Sequence, residues 1–357
     1  MRGPSRRWFL LGACLILAVG TGRESVGQPK PVTLVFMGSG GALQEAEVKA
    51  YVEPYKKLNP HVTIVFDSPV NYAKIKAMVE SGNVTIDLVE GGPQFGVSAE
   101  HIKLLEKIDC AIVPCSRLQP EKYPQTGYRI AQNLSATAMG YRTDKFPAGK
   151  EPQGWADFFD LQRFPGKRAL LKLPTSIGSQ GILEAALLAD GVEPAKLYPL
   201  DIPRALYKLD TIRSEIVFAA DNRGCAEKLA TGEAVMALCY NGRFYNFWKA
   251  GAPIAMQWTT AFHQSGYLTI PKGTKNLQEA MKFAAFMVSD EYAAGVTEYI
   301  PYGPANQVAA KKSSPATKDW NPALYQDRGI VLNDAWWSEN LTEAVKQWTA
   351  WQVKGGG

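Results

Sequence analysis

One pattern constrains this chain more than any other. From residue 32 onward a short apolar β-type run, a glycine-rich turn and an amphipathic helical stretch follow one another repeatedly. Val32 to Met37 is the first such run, and Gly38-Ser39-Gly40-Gly41 ends it. Ala46, Ala50, Val52 and Tyr55 then mark one side of a helix that must stop before Pro60. Val62 to Phe66 reads as the next strand, followed by a helix containing Ile75, Met78 and Val79. Ile86 to Val89 reads as a third strand and closes on Glu90-Gly91-Gly92. Alternation of this kind builds α/β layers. Ligands of open α/β sheets sit beside the strand ends, where these glycine-rich loops lie.

A second α/β set follows. Ser135 to Tyr141 reads as a strand or crossover segment. Beyond it come strand Ala169 to Leu173, helix Gln180 to Ala189, helix Pro203 to Arg213 and strand Glu215 to Phe218. Helix Gly224 to Thr231 and strand Ala234 to Cys239 complete the set, and Tyr267 to Ile270 returns as a strand. Leu277 to Val288 is a helix with Ala280, Phe283, Ala284 and Met287 on one face. In the last element Trp337, Leu341, Ala344, Val345, Trp348 and Trp351 recur at helical spacing. Such an aromatic stripe is read as packing onto its own lobe rather than lining a ligand. No tandem repeat stands out, and the Gly355 to Gly357 tail is expected to be disordered.

The amino terminus reads as an address. Arg6 and Arg7 precede Trp8-Phe9-Leu10-Leu11 and a short apolar run through Val19, too short to span a membrane. Residues 1–27 are therefore expected to be a removable leader, cut after Gly27 in preference to Gly20. The arginine pair resembles a twin-arginine signal, with an ordinary Sec leader as the alternative. Leu11-Gly12-Ala13-Cys14 looks like a lipoprotein box, the minority reading, because the apolar stretch continues past Cys14. Arg2, Arg6, Arg7 and Arg23 against Glu24 supply three of the five net positive charges. The remaining two make no footprint for nucleic acid. Four cysteines remain: Cys110, Cys115, Cys225 and Cys239. An exported chain with an even count points to disulfides in one of three connectivities. Proximity favours Cys110–Cys115 and Cys225–Cys239, and buried free thiols are the alternative.

Chemistry is scarce. His61, His101 and His263 have no metal-ligand spacing, so no metal set is expected. Gly178-Ser179-Gln180-Gly181 is not a nucleophile elbow, and Gly38-Ser39-Gly40-Gly41 lacks the Lys-Ser/Thr of a phosphate loop. No cofactor motif and no catalytic constellation is present, so an enzyme is not expected.

A set of ordered motifs supplies the alternative. Ser135-Ala136-Thr137-Ala138-Met139-Gly140-Tyr141-Arg142-Thr143-Asp144-Lys145-Phe146 resembles the first interlobe crossing of the polyamine-type (spermidine/putrescine) ABC-importer binding proteins. Trp155-Ala156-Asp157-Phe158-Phe159, Pro165 to Leu170, Thr231 to Ala237 and Tyr240-Asn241-Gly242-Arg243 follow at the family's spacing. Leu268 to Gly273 resembles the return crossing, and Pro301 to Asn306 a loop closing the site. The similarity runs from about residue 32 to 312.

The resemblance implies a two-lobed periplasmic-binding-protein fold, type II-like, with mixed sheets flanked by helices and a ligand cleft between the lobes. Lobe 1 would be 31–136 plus 264–312, and lobe 2 137–263 plus 313–357. It implies a monomeric periplasmic receptor that captures a small solute and delivers it to ABC importer permease subunits at the inner membrane. The family's acidic amine clamp maps near Thr175, Ser176 and Ile177, and its Trp and Asp near Gln264 and Gly266, none of them acidic or aromatic. Tyr240 falls where the family stacks a Trp. The residues that remain suit a zwitterion or organic anion better than a long diamine. Ser39, Gly40 and Gly41 offer backbone N–H groups at a helix start, and Arg243 a bidentate contact, both to an anionic group. Glu90 answers an ammonium. With Gln94 and Tyr302 these are the expected ligand set. The alternatives are an exported enzyme or sensor subunit on the same scaffold, or a ferric or metal-binding protein in which Tyr240 and Tyr302 share a site.

Overall fold

The computed structural model describes Met1 and residues 30–146, 148–172 and 177–354. Apart from Met1 the predicted leader, including Cys14, lies outside the described residues, as do Thr175, Ser176 and the Gly355–Gly357 tail.

The elements run β1 (Val32–Met37), α1 (Gly41–Glu47), a π turn (Val48–Val52), α2 (Glu53–Leu58), β2 (Val62–Asp67), α3 (Tyr72–Glu80), β3 (Leu88–Gly91) and α4 (Ala99–Ile102). Then come β4 (Ile130–Arg142), α5 (Trp155–Phe159), β5 (Arg168–Leu171), α6 (Ile177–Gln180), α7 (Ile182–Ala189), α8 (Ile202–Asp210), β6 (Ile216–Ala219), α9 (Asn222–Thr231) and β7 (Met236–Tyr240). The chain closes with α10 (Asn241–Lys249), β8 (Ile254–Thr269), α11 (Leu277–Met287), β9 (Gly303–Pro304), α12 (Gln307–Ala310), β10 (Ile330–Val331) and α13 (Asp334–Lys354).

The strand order is β2-β1-β3-β8-β4-β7-β5-β6. β2, β1 and β3 are mutually parallel, as are β7, β5 and β6. Between these triplets lie β4 and β8, long and antiparallel to each other and to the strand each adjoins. Each triplet is made by helical crossovers, which parallel neighbours require. Each carries its own apolar core. One gathers Leu34, Phe36, Leu88, Leu134, Leu268 and Phe283; the other gathers Leu170, Leu187, Leu238, Phe262, Trp337 and Trp348.

Both expected disulfides are formed, Cys110–Cys115 and Cys225–Cys239. The tryptophan stripe of α13 is core, with Trp337, Trp348 and Trp351 all buried. Two elements differ from the sequence reading. The expected helix 180–189 starts only at Ile182, after α6 ends at Gln180, because Gly181 takes φ 72° and a Cβ there would run into the Phe262 ring. The strand expected at Tyr267–Ile270 begins thirteen residues earlier, at Ile254. The stretch just before the expected start carries Thr260, His263, Gln264 and Ser265, all buried, so the apolar alternation that marks a strand is absent there.

Glu184 on α7 shows how tightly the second core is closed. It is fully buried, and its Oε1 accepts from Tyr198 Oη at 2.7 Å and Trp337 Nε1 at 2.8 Å, while Oε2 has no donor. Burial raises its pKa. The folded state therefore holds this proton more tightly than the unfolded chain, so the group's contribution is full at low pH and fades as pH rises through the folded value. Each pH unit in that window costs about 1.4 kcal/mol. Glu184→Gln should accordingly gain stability relative to the wild type as pH rises from below the ordinary glutamate value, measured by urea melts; a difference independent of pH would contradict a raised pKa.

Candidate functional site

The site is assembled where β4 and β8 pass between the two cores. A strand normally sends consecutive side chains to opposite faces. The β4–β8 register slips between Ala131 and Leu134, and a bulge of this kind re-aims side chains. Gln132 and Asn133, adjacent in sequence, both turn to buried carboxyls, donating to Glu47 Oε1 and Glu90 Oε1 respectively, each at 2.8 Å. Gly266 makes room, since a Cβ there would lie 2.8 Å from Asn133 Oδ1.

A cavity of about 470 Å³ opens above this floor. Ser39, Gly40, Glu90, Tyr240, Arg243, Gln264 and Tyr302 line it, so seven of the expected ligand residues come together. Gly41 stands behind Gly40 as the first residue of α1. The positive φ of Gly40 (78°) and Gly41 (59°) explains why this turn is built of glycine. Gln94 is not part of the lining; its Nε2 donates to Gly178 O at 3.0 Å, tying the loop after β3 to α6 across the cleft. Tyr72, Asn133, Ser135, Asn222 and Ser265 also line the cavity. No sequence signal marks them, because scattered polar residues in irregular or bulged segments have no period.

The glycine turn differs chemically from its expected role. The Ser39 N–H and Oγ–H are not open to an anion: both donate to Glu90 Oε2, at 3.2 and 2.8 Å. Glu90 is almost fully buried and has a raised pKa, first through desolvation, with the bonds from Ser39 and Asn133 opposing it. This end of the cavity is thus electronegative.

The opposite charge comes from α10. Arg243 sits in its first turn, half-buried, and among the described residues no Asp or Glu oxygen lies within 4.0 Å of its guanidinium. It faces two phenols. Burial pushes Tyr240 up to about 12, against hydrogen bonds from Ser179 and Gln264 and the field of Arg243. Tyr302 is raised by burial too, with Arg243 lowering it and Glu90 raising it, so this ring senses both ends of the site. Gln264 Nε2 donates to Ser179 O at 2.9 Å, and its buried Oε1 has no donor. Neutral phenols are poor ferric ligands, and among the described residues no cluster of three His, Cys, Asp or Glu could hold a metal ion.

Two α/β halves joined by long crossing strands, with a polar cavity at the crossing, define a two-lobed solute receptor. The chain belongs to the bacterial extracellular solute-binding protein family, whose model matches residues 50–324. It is a solute-binding component of an ABC transporter, of a class that captures small polar solutes. The gamma-aminobutyric acid-binding protein of Pseudomonas aeruginosa is 29% identical over 94% of this chain and 95% of its own length. A spermidine/putrescine-binding periplasmic protein of Haemophilus influenzae is 26% identical, covering 77% and 75%. Among solved structures, the Atu4243 GABA receptor matches with TM-score 0.81 and 33% identity over 90% of this chain and 98% of its own. AgtB of A. tumefaciens R10, solved with agropinic acid, matches with TM-score 0.72 and 34% identity over 90% and 99%.

One contact tests the geometry without any ligand. A Cβ at Gly242 would lie 2.8 Å from Tyr302 Cε1 and 3.1 Å from its Oη. Gly242→Ala suits the helix but should push the ring aside, costing on the order of 1–2 kcal/mol in urea unfolding as overpacking does. A stabilised variant would show that Tyr302 does not rest there.

Proposed function

We propose that this chain is a periplasmic ABC-importer receptor for a small amino acid zwitterion of the GABA class. Its two lobes are assigned to residues 31–136 plus 264–312 and 137–263 plus 313–357, working as a monomer. The observation that carries the solute class is the separation of charge in the cavity. A buried carboxylate, Glu90, and Arg243, a cation with no carboxylate partner among the described residues, line the same cavity without pairing. A zwitterion fits that arrangement with its carboxylate on the guanidinium and its ammonium toward Glu90. Tyr240 and Tyr302 would lie along the methylenes between them. A polyamine fits worse, since Arg243 opposes a second ammonium. The names of the relatives that bind GABA point the same way.

A second reading, a larger opine-like organic acid, is favoured by the size of the cavity. About 470 Å³ falls within the roughly 300–1,000 Å³ typical of pockets for much larger ligands.

Calorimetry against GABA, putrescine, spermidine and agropinic acid separates these readings. GABA should bind at micromolar affinity or tighter, and putrescine at least tenfold more weakly. Arg243→Gln should lose about a hundredfold for GABA, consistent with a truncated charged contact. Its affinity for putrescine should hold or improve. Equal binding of GABA by wild type and Arg243→Gln would remove the anion site from α10.

A further inference from the structure

Glu47, which no sequence motif marked, lies below Glu90 at the end of α1 with no solvent exposure. Gln132 donates to its Oε1, but Oε2 is buried and has no donor. Among the described residues no Lys or Arg nitrogen lies within 4.0 Å of either carboxyl. Two adjacent buried carboxylates without a cation cannot both stay ionised. The orphan oxygen is explained if Glu47 is itself the donor: as a hydroxyl, Oε2 gives its proton to Glu90. Glu90 then has four donors for its two oxygens, namely Ser39 N, Ser39 Oγ, Asn133 Nδ2 and Glu47. A carboxylate has about four lone-pair sites, so its hydrogen bonding is complete.

We propose that Glu47 and Glu90 share one proton, held by Glu47, so that the pair presents a single negative charge to the cleft. Glu47 is then a positioning residue that keeps Glu90 ionised toward the cationic end of the solute, which rests on the zwitterion reading above. The burial of both groups agrees with this division. Glu47 is raised well above the usual value by desolvation and by the Glu90 charge, while its own bond to Glu90 lowers the latter. The other titratable groups facing the pair are Tyr51 on the π turn, Tyr72 on α3 and Tyr302 before β9, all neutral phenols. Arg243 reaches the pair's surroundings through its effect on Tyr302. Acid therefore reaches Glu90 second: as pH falls, Glu90 is neutralised at a pH above that of an ordinary carboxylate, and hold on an ammonium weakens.

The test reads the proton directly. Infrared spectra of the full, ligand-free protein at pH 7 should show a protonated-carboxyl band that loses intensity in Glu47→Gln, with Glu184→Gln as the control for the other buried glutamate. Glu47→Gln still donates to Glu90, so it should bind GABA within about threefold of wild type. Glu47→Leu, lacking the donor, should lose about tenfold or more and shift the acid limb of the binding profile upward. Full retention of the band in Glu47→Gln would place the proton elsewhere and overturn the proposal. Should that variant not fold, carbon-13 titration of labelled glutamate in Glu184→Gln decides it: no neutral glutamate at pH 7 in that variant overturns it equally. If GABA fails to bind at all, the solute assignment falls while the carboxyl band still settles the proton.

Discussion

The pairing of β4 with β8 governs both the architecture and the site. From Ile130↔Leu268 to Arg142↔Ile254 the two strands run side by side, with β3 on one flank and β7 on the other. Every parallel strand of either triplet reaches the other triplet only through them. The same strands carry Asn133, Ser135, Gln264 and Ser265 into the cavity. A receptor whose halves reorient needs a floor that keeps its geometry, and a hydrogen-bonded ladder with two bulges meets that need. The cost is polar side chains in buried positions, which must find partners. Asn133 finds Glu90, Gln132 finds Glu47, and Thr260 Oγ accepts from Met139 N at 3.1 Å.

The electrostatics of the cleft follow from where those partners run out. Glu90 is supplied with donors by the glycine turn and by the bulge, so its charge is fixed in place rather than left searching for a counterion. Arg243 has no such supply. Among the described residues no carboxylate pairs with it, and two phenols share its surroundings, one pushed up to about 12 by burial. On the proposed reading, the presence of that guanidinium and the Glu90 carboxyl in one cavity is complementary to a dipolar solute. It is unfavourable to a dication, which would set a second positive charge against the guanidinium.

How much of this was legible in the sequence depends on period. The first α/β set, the tryptophan helix and both disulfides were readable because apolar spacing and cysteine proximity report directly on local structure. Tyr240, Arg243 and Tyr302 were found through ordered motifs, and all three line the cavity. The stretch of β8 before Tyr267 was not readable, since Thr260, His263, Gln264 and Ser265 put polar side chains in its buried positions. Glu47 was hidden in a helical face otherwise read as apolar. The role of the glycine turn was misjudged for a related reason. Backbone N–H groups at a helix start favour an anion, and here that anion is a side chain of the protein, fifty-one residues away in sequence.

Closure of the cleft is the remaining step, and few protein contacts favour it by themselves. Gln94 to Gly178 O and Gln264 to Ser179 O both reach α6 from the opposite side of the cavity. Buried hydrogen bonds of this kind contribute about 0.5–1.5 kcal/mol each. Arg129 adds a stronger tie: its guanidinium, fully buried, meets Asp334 at 3.1 Å and stacks 3.7 Å from the Tyr267 ring, joining the start of β4 to the start of α13. That tie lies beside the crossing strands, where it steadies the pivot rather than the jaws. On the proposed reading, bridging the lobes falls to a solute that touches both Glu90 and Arg243. Only a ligand with differential affinity for the closed state can shift that equilibrium, and on the proposed reading a zwitterion that reaches both charges would have it.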